Sequence, residues 1–257
     1  MNFLVCLKQV PAKDAPLKLA PDSRWIRDDV TYETNEPDAF ALEAALRLKE
    51  AHGGEVVALT VGPARAAQVL REALAKGADR AIHVEGSEAV QLDAYAAAEA
   101  ITRAIAGQSF DLVCTGLQAD DDGFGQTGVI VAELLGAPHA TIIMHVEPSG
   151  EKRIKVKREL EGGNFQWVEM PTPAVLTIQS GIHKLRYATL MGIKQAKNKP
   201  LAHTTLEELG VQPSLNRQVL HQLFVPAKSK GTTRIPGSPK EQAAALLQHL
   251  RQQAHVL

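Results

Sequence analysis

Gly116-Leu-Gln-Ala-Asp-Asp-Asp-Gly-Phe-Gly-Gln-Thr-Gly128 is the stretch of this 257-residue chain best suited to hold a small anion. It follows a short apolar run, Phe110 to Thr115, that reads as a buried strand. It precedes apolar residues at helical spacing, Val129, Ile130, Ala132, Leu134 and Leu135, stopped by Gly136 and Pro138. Strand, polar loop and helix N-terminus in that order commonly hold a nucleotide phosphate. The first helical turn has free N–H groups and the positive end of the helix dipole. The loop contains neither G-x-x-x-x-G-K-[ST] nor G-x-G-x-x-G, which disfavours a P-loop and the ordinary dinucleotide fingerprint. Asp120, Asp121 and Asp122 would repel a phosphate that they faced. As caps, or as acceptors from a ribose hydroxyl, they are compatible with a nucleotide. A solvated turn has the same composition, because Asp and Gly dominate turns.

Other chemistry is hard to find. There is no Ser/His/Asp set, no metal-ligand spacing and no pair of carboxylates framed by a strand end and a base, so no catalytic residue and no metal are expected. The nine histidines are dispersed. His83 and His145 fall in strand patterns and read as core or edge residues, while His139 and His183 adjoin loops. Cys6 and Cys114 both sit in apolar strand patterns without ligand-like spacing, as reduced core thiols consistent with the cytoplasm. Any redox chemistry would have to be a cofactor's.

The net charge of −1 conceals an asymmetry. Residues 1–169 carry 17 Lys/Arg against 26 Asp/Glu, a balance of −9. Residues 170–257 carry 11 Lys/Arg against Glu207, Glu208 and Glu241, a balance of +8. The basic tail lacks the arginine clusters and interleaved aromatics of a nucleic-acid binder, so an acidic protein is the expected partner. No apolar run reaches membrane-spanning length, and Met1 leads directly into a strand without a signal peptide.

The elements that must position the loop follow in order. Asn2 to Leu7 is a strand leading into the loop Lys8 to Lys13. Residues 14–34 form an excursion with a small hairpin. Asn35-Glu-Pro-Asp38 combines cap, proline and early acids as a helix start, with the helix running from Ala39 to Ala51. Strands follow at Glu55–Val61 and Ala81–Val84, with helices at Ala64–Lys76 and at Val90–Ala106. Strands alternating with helices mean βαβ units in a mostly parallel, doubly wound α/β sheet of Rossmann-like type. Its switch point is expected between the first strand and that at 110–115, where the 8–13 loop, Asn35, the Val61-Gly62 turn and the 116–127 loop would converge. This convergence favours the nucleotide over the solvated turn. A strand at Thr141–His145, a hairpin about Glu161-Gly-Gly163 and a last core strand at Ala174–Ile178 complete the body. From Gly181 no core element is expected for some sixty residues. The chain then ends in a helix, Lys240 to Gln252, with Ala243, Leu246, Leu247 and Leu250 on one face. The expected division is a nucleotide-binding domain at 1–182, a partner-recognition segment at 183–199 and a C-terminal arm at 200–257.

Several motifs together resemble the β (small) subunit of electron-transfer flavoproteins. They are Val5-Cys-Leu-Lys-Gln-Val-Pro11, Asn35-Glu-Pro-Asp-Ala-Phe-Ala-Leu-Glu43, Ala75-Lys-Gly-Ala-Asp-Arg-Ala-Ile82, the 116–128 loop, Lys157-Arg-Glu-Leu-Glu-Gly-Gly163 and Leu185-Arg-Tyr-Ala-Thr-Leu-Met-Gly-Ile-Lys-Gln-Ala-Lys197. Each is weak alone, but they span the chain in the family's order. The resemblance implies an electron carrier rather than an enzyme, built as a heterodimer with an α subunit; the basic, proline-punctuated C-terminal arm, which has no core of its own, is expected to pack on that other subunit. FAD would be held mainly by α, and AMP held structurally in β. Donors would be acyl-CoA-type or other flavin dehydrogenases, and electrons would pass to a quinone-reducing acceptor. Carried over by position, the nucleotide site comprises Cys6, Asn35, Glu36, Pro37, Asp38, Val61, Gly116, Gln118, Ala119, Asp121, Asp122, Gly123, Gly125, Gln126 and Thr127. The last two would meet the phosphate. Leu190 aligns with the leucine of the family's recognition loop, as a docking anchor amid lysines; packing within a helix is the competing role for it.

Two departures matter. Asp120-Asp-Asp-Gly-Phe-Gly125 differs from the Asp-Gly-Asp-Thr pattern of some electron-bifurcating members, which hold a second FAD in place of AMP. Lys13 stands where some members carry an aromatic residue near the flavin ring, which argues against stacking by this chain. Two rivals remain on the same scaffold. A regulator of universal-stress-protein type would be a homodimer without the basic arm and usually carries a G-x-x-G…G-[ST] loop. An ATP-splitting enzyme would carry a Ser-Gly-Gly-x-Asp-Ser loop. Neither loop is present.

Overall fold

The computed structural model describes residues 1–22, 25–87, 92–227, 231–232, 234–254 and 256. Its first strand, β1 (Asn2–Cys6), is buried on both faces from Phe3 onward. Beyond Lys8 the chain forms β2 (Gln9–Pro11), which pairs antiparallel with β3 (Tyr32–Thr34). The excursion between them carries one isolated bridge, Leu19 to Ile26, among the described residues. Helix α1 (Glu36–His52) has Pro37 in its first turn beside Glu36 and Asp38, where proline and acids suit a helix start. Then follow β4 (Glu55–Gly62), a 3₁₀ turn at Ala64–Ala66, α2 (Ala67–Lys76) and β5 (Arg80–Glu85). Helix α3 (Ala94–Ala104) starts where the Asp93 carboxylate accepts from the Ala96 N–H at 2.8 Å. Val90, the expected first residue of this helix, lies outside the described residues.

The remaining elements of the body are β6 (Leu112–Gly116), α4 (Thr127–Leu135), β7 (His139–Gly150), β8 (Arg153–Glu159), β9 (Phe165–Pro171), β10 (Ala174–Ile178), α5 (Leu190–Ala196) and β11 (Leu201–Thr205). Among the described residues nine strands form one sheet in the order β11-β5-β4-β1-β6-β10-β7-β8-β9, parallel from β11 through to β7 and antiparallel beyond it. Alternation along each strand sends residues to two cores. Phe3, Val5, Val56, Ala58, Leu112 and Leu176 face α1 and α2, while Leu4, Val57, Leu59, Val113 and Val175 face α3 and α4. Both faces being covered is what makes the central strands continuously apolar. β1 lies between β4 and β6, so the chain winds outward through β4 and β5 and then returns to the other side of β1. That is the expected switch point, and it sets a crevice at the carboxyl ends of β1 and β6.

The structure departs from the sequence reading after Gly181. β11 pairs in parallel with β5, from Leu201 opposite Ala81 to Thr205 opposite Glu85. Leu206 and Val211 then bury in the core on the α3 side. The first compact unit accordingly extends to His221, and the second comprises Gln222–Leu257. The first twenty-odd residues of the arm drawn from residue 200 therefore belong to the body. The second unit contains α6 (Pro239–Gln252), capped by Ser238 and Glu241 in a reciprocal capping box, with no buried residue. Among the described residues, no helix is long and apolar enough to cross a membrane.

Candidate functional site

The crevice is assembled by polar contacts among three chain segments. Asn35 occupies the N-cap position of α1, yet its side chain does not cap that helix. It turns instead into the 116–127 loop. Its Nδ2 donates to the Gln118 carbonyl at 2.9 Å, and its Oδ1 accepts from the Asp120 N–H at 2.9 Å. The Asp120 carboxylate accepts from the Glu36 N–H at 3.4 Å, at the start of α1. One residue of the acidic run is thus placed as a cap.

The other two are neutralised. Lys8 Nζ, just past the end of β1, lies 2.6 Å from Asp121 and 2.9 Å from Asp122. Burial disfavours the Lys8 charge, but the two carboxylates outweigh it and raise its pKa. Asp122 also accepts from the Phe124 N–H at 3.1 Å, which turns the loop. Three aspartates beside a bound anion would be electrostatically tolerable here, because one caps a helix and two hold a lysine.

Asp38 ties the crevice floor together. One carboxylate oxygen accepts from the Lys8 N–H at 2.7 Å and the other from the Gly116 N–H at 2.8 Å. Burial pushes this carboxyl up to about 6, against the pull of those two N–H groups and of Lys8. Packing here is tight. A Cβ on Gly116 would stand 2.4 Å from Asp38 Oδ1 and 2.6 Å from Pro37 Cβ, and one on Gly128 would stand 2.5 Å from Thr115 Oγ1. Gly116→Ala is expected to destabilise the protein by ~1–3 kcal/mol through overpacking. Thermal unfolding of the variant checks this, and an unchanged melting temperature would contradict it.

Helix α4 starts at the mouth of the crevice. Gln126 holds its N-cap position, and among the described residues no side chain caps the helix, which leaves its first-turn N–H groups open to an acceptor from outside it. Gln126 is exposed and Thr127 half-buried. A nucleotide phosphate fits this end: uncapped amides, an amide and a hydroxyl side chain, and acids already paired.

Of the residues carried over from the motifs, Asn35, Glu36, Pro37, Asp38 and the 116–127 loop are joined by these contacts. Cys6 ends β1 beneath them. Val61 stands one strand over, on the far side of β1 from the loop. Burial raises the Cys6 thiol and pushes the Cys114 thiol up to about 12, so both stay protonated and inert. Nothing in the sequence singles out Lys8, although an acidic triplet in a half-buried loop signals a need for a nearby cation. Gln218 also borders this loop. Its Nε2 lies 3.3 Å from Gln126 Oε1, and its N–H donates to Asp93 at 2.8 Å. Nothing local in the sequence marks it. A cleft of about 490 Å³ opens beside Asn2, Phe110 and Pro173, at the opposite strand ends, away from this polar set.

The segment after β10 is held at both ends. Arg186 binds the buried Glu43 through Nε at 2.8 Å and Glu50 through Nη1 at 2.5 Å, both on α1. Burial opposes ionisation of Glu43, and hydrogen bonds from Arg186 and Arg47 overcome it, holding the carboxyl below its usual range. Lys199 Nζ donates to the Leu74 and Ala78 carbonyls at the end of α2. Between these anchors Thr189 caps α5, and Gly192 lies so close to the Ala75 carbonyl that a Cβ would reach it at 2.3 Å. Leu190, the first residue of α5, is 89% exposed, and Tyr187 is 90% exposed. Within the unit Met1–His221, Leu190 is therefore not packed into the core.

Comparison with known proteins follows the same lines. The electron transfer flavoprotein domain family matches residues 24–209. The chain is 38% identical to the electron transfer flavoprotein subunit beta of Methylophilus methylotrophus, covering 96% of this chain and 97% of that one. It is 33% identical to the subunit beta of Bacillus subtilis over the full length of both. It is also 33% identical, again over both full lengths, to the acryloyl-CoA reductase electron transfer subunit gamma of Anaerotignum propionicum. Family, coverage and motif order agree, and the stand-alone regulator and the ATP-splitting enzyme lose their support. The chain belongs to the electron transfer flavoprotein family, among its beta subunits.

Proposed function

We propose that this chain is the β subunit of a heterodimeric electron-transfer flavoprotein, which holds AMP as a structural ligand and forms part of the wall of an FAD site carried mainly by the α subunit. The flavin supplies the redox chemistry. This chain's residues bind, orient and dock. The uncapped N-terminus of α4, facing a loop whose acids are already paired, carries the AMP reading. Gln126, Thr127 and the first-turn N–H groups hold the phosphate, while Asn35 and Asp38 fix the loop that surrounds it. Residues 222–257 pack on the α subunit. Leu190 docks dehydrogenases of acyl-CoA or related flavin type, and a quinone-reducing acceptor receives the electrons.

The test is a cofactor count on the purified heterodimer by mass spectrometry after denaturation. One AMP per FAD is expected. Replacing Gln126 and Thr127 together by alanine removes two side-chain hydrogen bonds, each worth ~1 kcal/mol net or ~1.5–3 with charge assistance, so AMP should be lost or held at least tenfold more weakly. Assembly should suffer more than electron transfer in the complexes that form. No nucleotide under conditions that retain FAD would refute the AMP site, and two FAD without AMP would assign the crevice to a second flavin.

A further inference from the structure

His83, Glu85 and His203 lie outside the contacts described so far. β5 and β11 run parallel with His83 opposite His203, and Glu85 follows His83 by two residues on the same strand face. One potential ligand atom from each residue lies within 4.8 Å of the other two. The two imidazole centroids are 5.6 Å apart with the rings crossed at 74°. Two imidazoles sharing one zinc at ~2.0–2.1 Å and a tetrahedral angle bring their centroids to about 5 Å, a small side-chain adjustment from this arrangement. His203 Nε2 and Glu85 Oε2 are 2.8 Å apart. Neighbouring ligand atoms of a tetrahedral zinc are separated by roughly 3.3 Å, so this pair needs only a slight opening.

His83 shows the support that a ligating imidazole requires. It is 2% exposed, and its Nε2 lies 3.1 Å from the Gly62 carbonyl oxygen. Donation there fixes the tautomer and leaves Nδ1 with the lone pair that a metal takes. The side chains of His203 and Glu85 are 50% and 39% exposed, which leaves an entry path from solvent. Two imidazoles and one carboxylate suit zinc-class ions better than magnesium or calcium, which favour oxygen alone. No ligand spacing announces the cluster, because its members come from strands far apart in sequence. We propose that His83, Glu85 and His203 bind one zinc-class divalent cation, with water in the fourth position, fastening the edge strand β11 to β5.

The test uses the full-length, tag-free protein stripped with a chelator, titrated with zinc chloride by calorimetry and with cobalt chloride by absorption. One zinc per chain is expected, with the visible bands of tetrahedral cobalt. His203→Ala and Glu85→Gln lie at accessible positions and should leave the metal-free melting temperature unchanged. Each should weaken zinc binding by tenfold or more, since even the partners that orient a ligand are worth about 10- to 100-fold. Absence of zinc binding at about 100 μM, or a loss of less than tenfold in either variant, overturns the site. Neither outcome depends on whether the crevice holds AMP.

Discussion

A chain ended at His221 is expected to fold, to keep its sheet intact and yet to form no stable complex that retains FAD. The division follows the boundary between the two compact units, so the truncation removes no core residue of the first. What it removes is a segment with exposed apolar side chains. Phe224 is 75% exposed, Val225 is 74%, and on α6 Leu246 is 50% and Leu247 41%. α6 is well capped, but within this chain its leucine face buries nothing fully. Helices of this length are marginal without a surface to pack on. If the α subunit is that surface, loss of the segment removes several side chains, each worth ~1.5–3 kcal/mol when buried. Non-additive though such terms are, together they exceed what a stable heterodimer can lose. Co-expression with the α subunit, followed by size-exclusion chromatography with flavin absorbance, reads the result. Full FAD stoichiometry in the truncated complex would show that residues 222–257 do not make the interface.

Leu190→Ala is expected to weaken dehydrogenase docking by about ten- to a hundredfold, from the ~1.5–3 kcal/mol that burying one leucine supplies. Melting temperature and bound cofactors should not change, because a side chain 89% exposed supports nothing in this chain and surface substitutions usually stay within ~0.5 kcal/mol. The surroundings fit a docking role. There is no acidic residue from Met170 to Leu206, and Lys184, Lys194 and Lys197 lie along the same segment. In a docking role those charges would accelerate encounter with an acidic surface, and the leucine would provide the short-range contact. The assay compares flavin reduction by a dehydrogenase at low and high ionic strength. Normal reduction kinetics in the variant would end the anchor role.

The central α/β body could be read from the sequence because both its faces are covered. Strands such as Leu4–Cys6 and Val56–Leu59 are then plain apolar runs, and the glycines between elements mark their ends. β11 could not be read that way. Leu-Ala-His-Thr-Thr205 is short, lies at the sheet edge and has exposed or half-buried side chains, so nothing in its pattern distinguishes it from a loop. β7 was foreseen only at Thr141–His145, whereas it runs from His139 to Gly150, because its outer half pairs with β8 without being buried. At the crevice, Asn35 reads as a helix cap by type and position, but its side chain serves the 116–127 loop and Asp120 stands in at the helix. Local rules assign a residue to the nearest vacant partner. Only the fold brings residues 35 and 120 together.

The segment that carries Leu190 also has a place in time. It belongs to the connection from β10 to β11, which passes across the sheet positions of β6, β1, β4 and β5 before Leu201 pairs with Ala81. Loop closure must be offset before such distant strands reward it, so parallel pairing of this kind is slow compared with local structure. β5 is synthesised early and waits, its outer edge unpaired, for a strand made more than a hundred residues later. Until residues 199–201 reach the ends of α2 and β5, the stretch carrying Tyr187 and Leu190 lacks the Lys199 anchor. Bracing of that stretch therefore depends on β11 closing the edge of the sheet, and a chain whose edge is open presents Tyr187 and Leu190 on a looser segment.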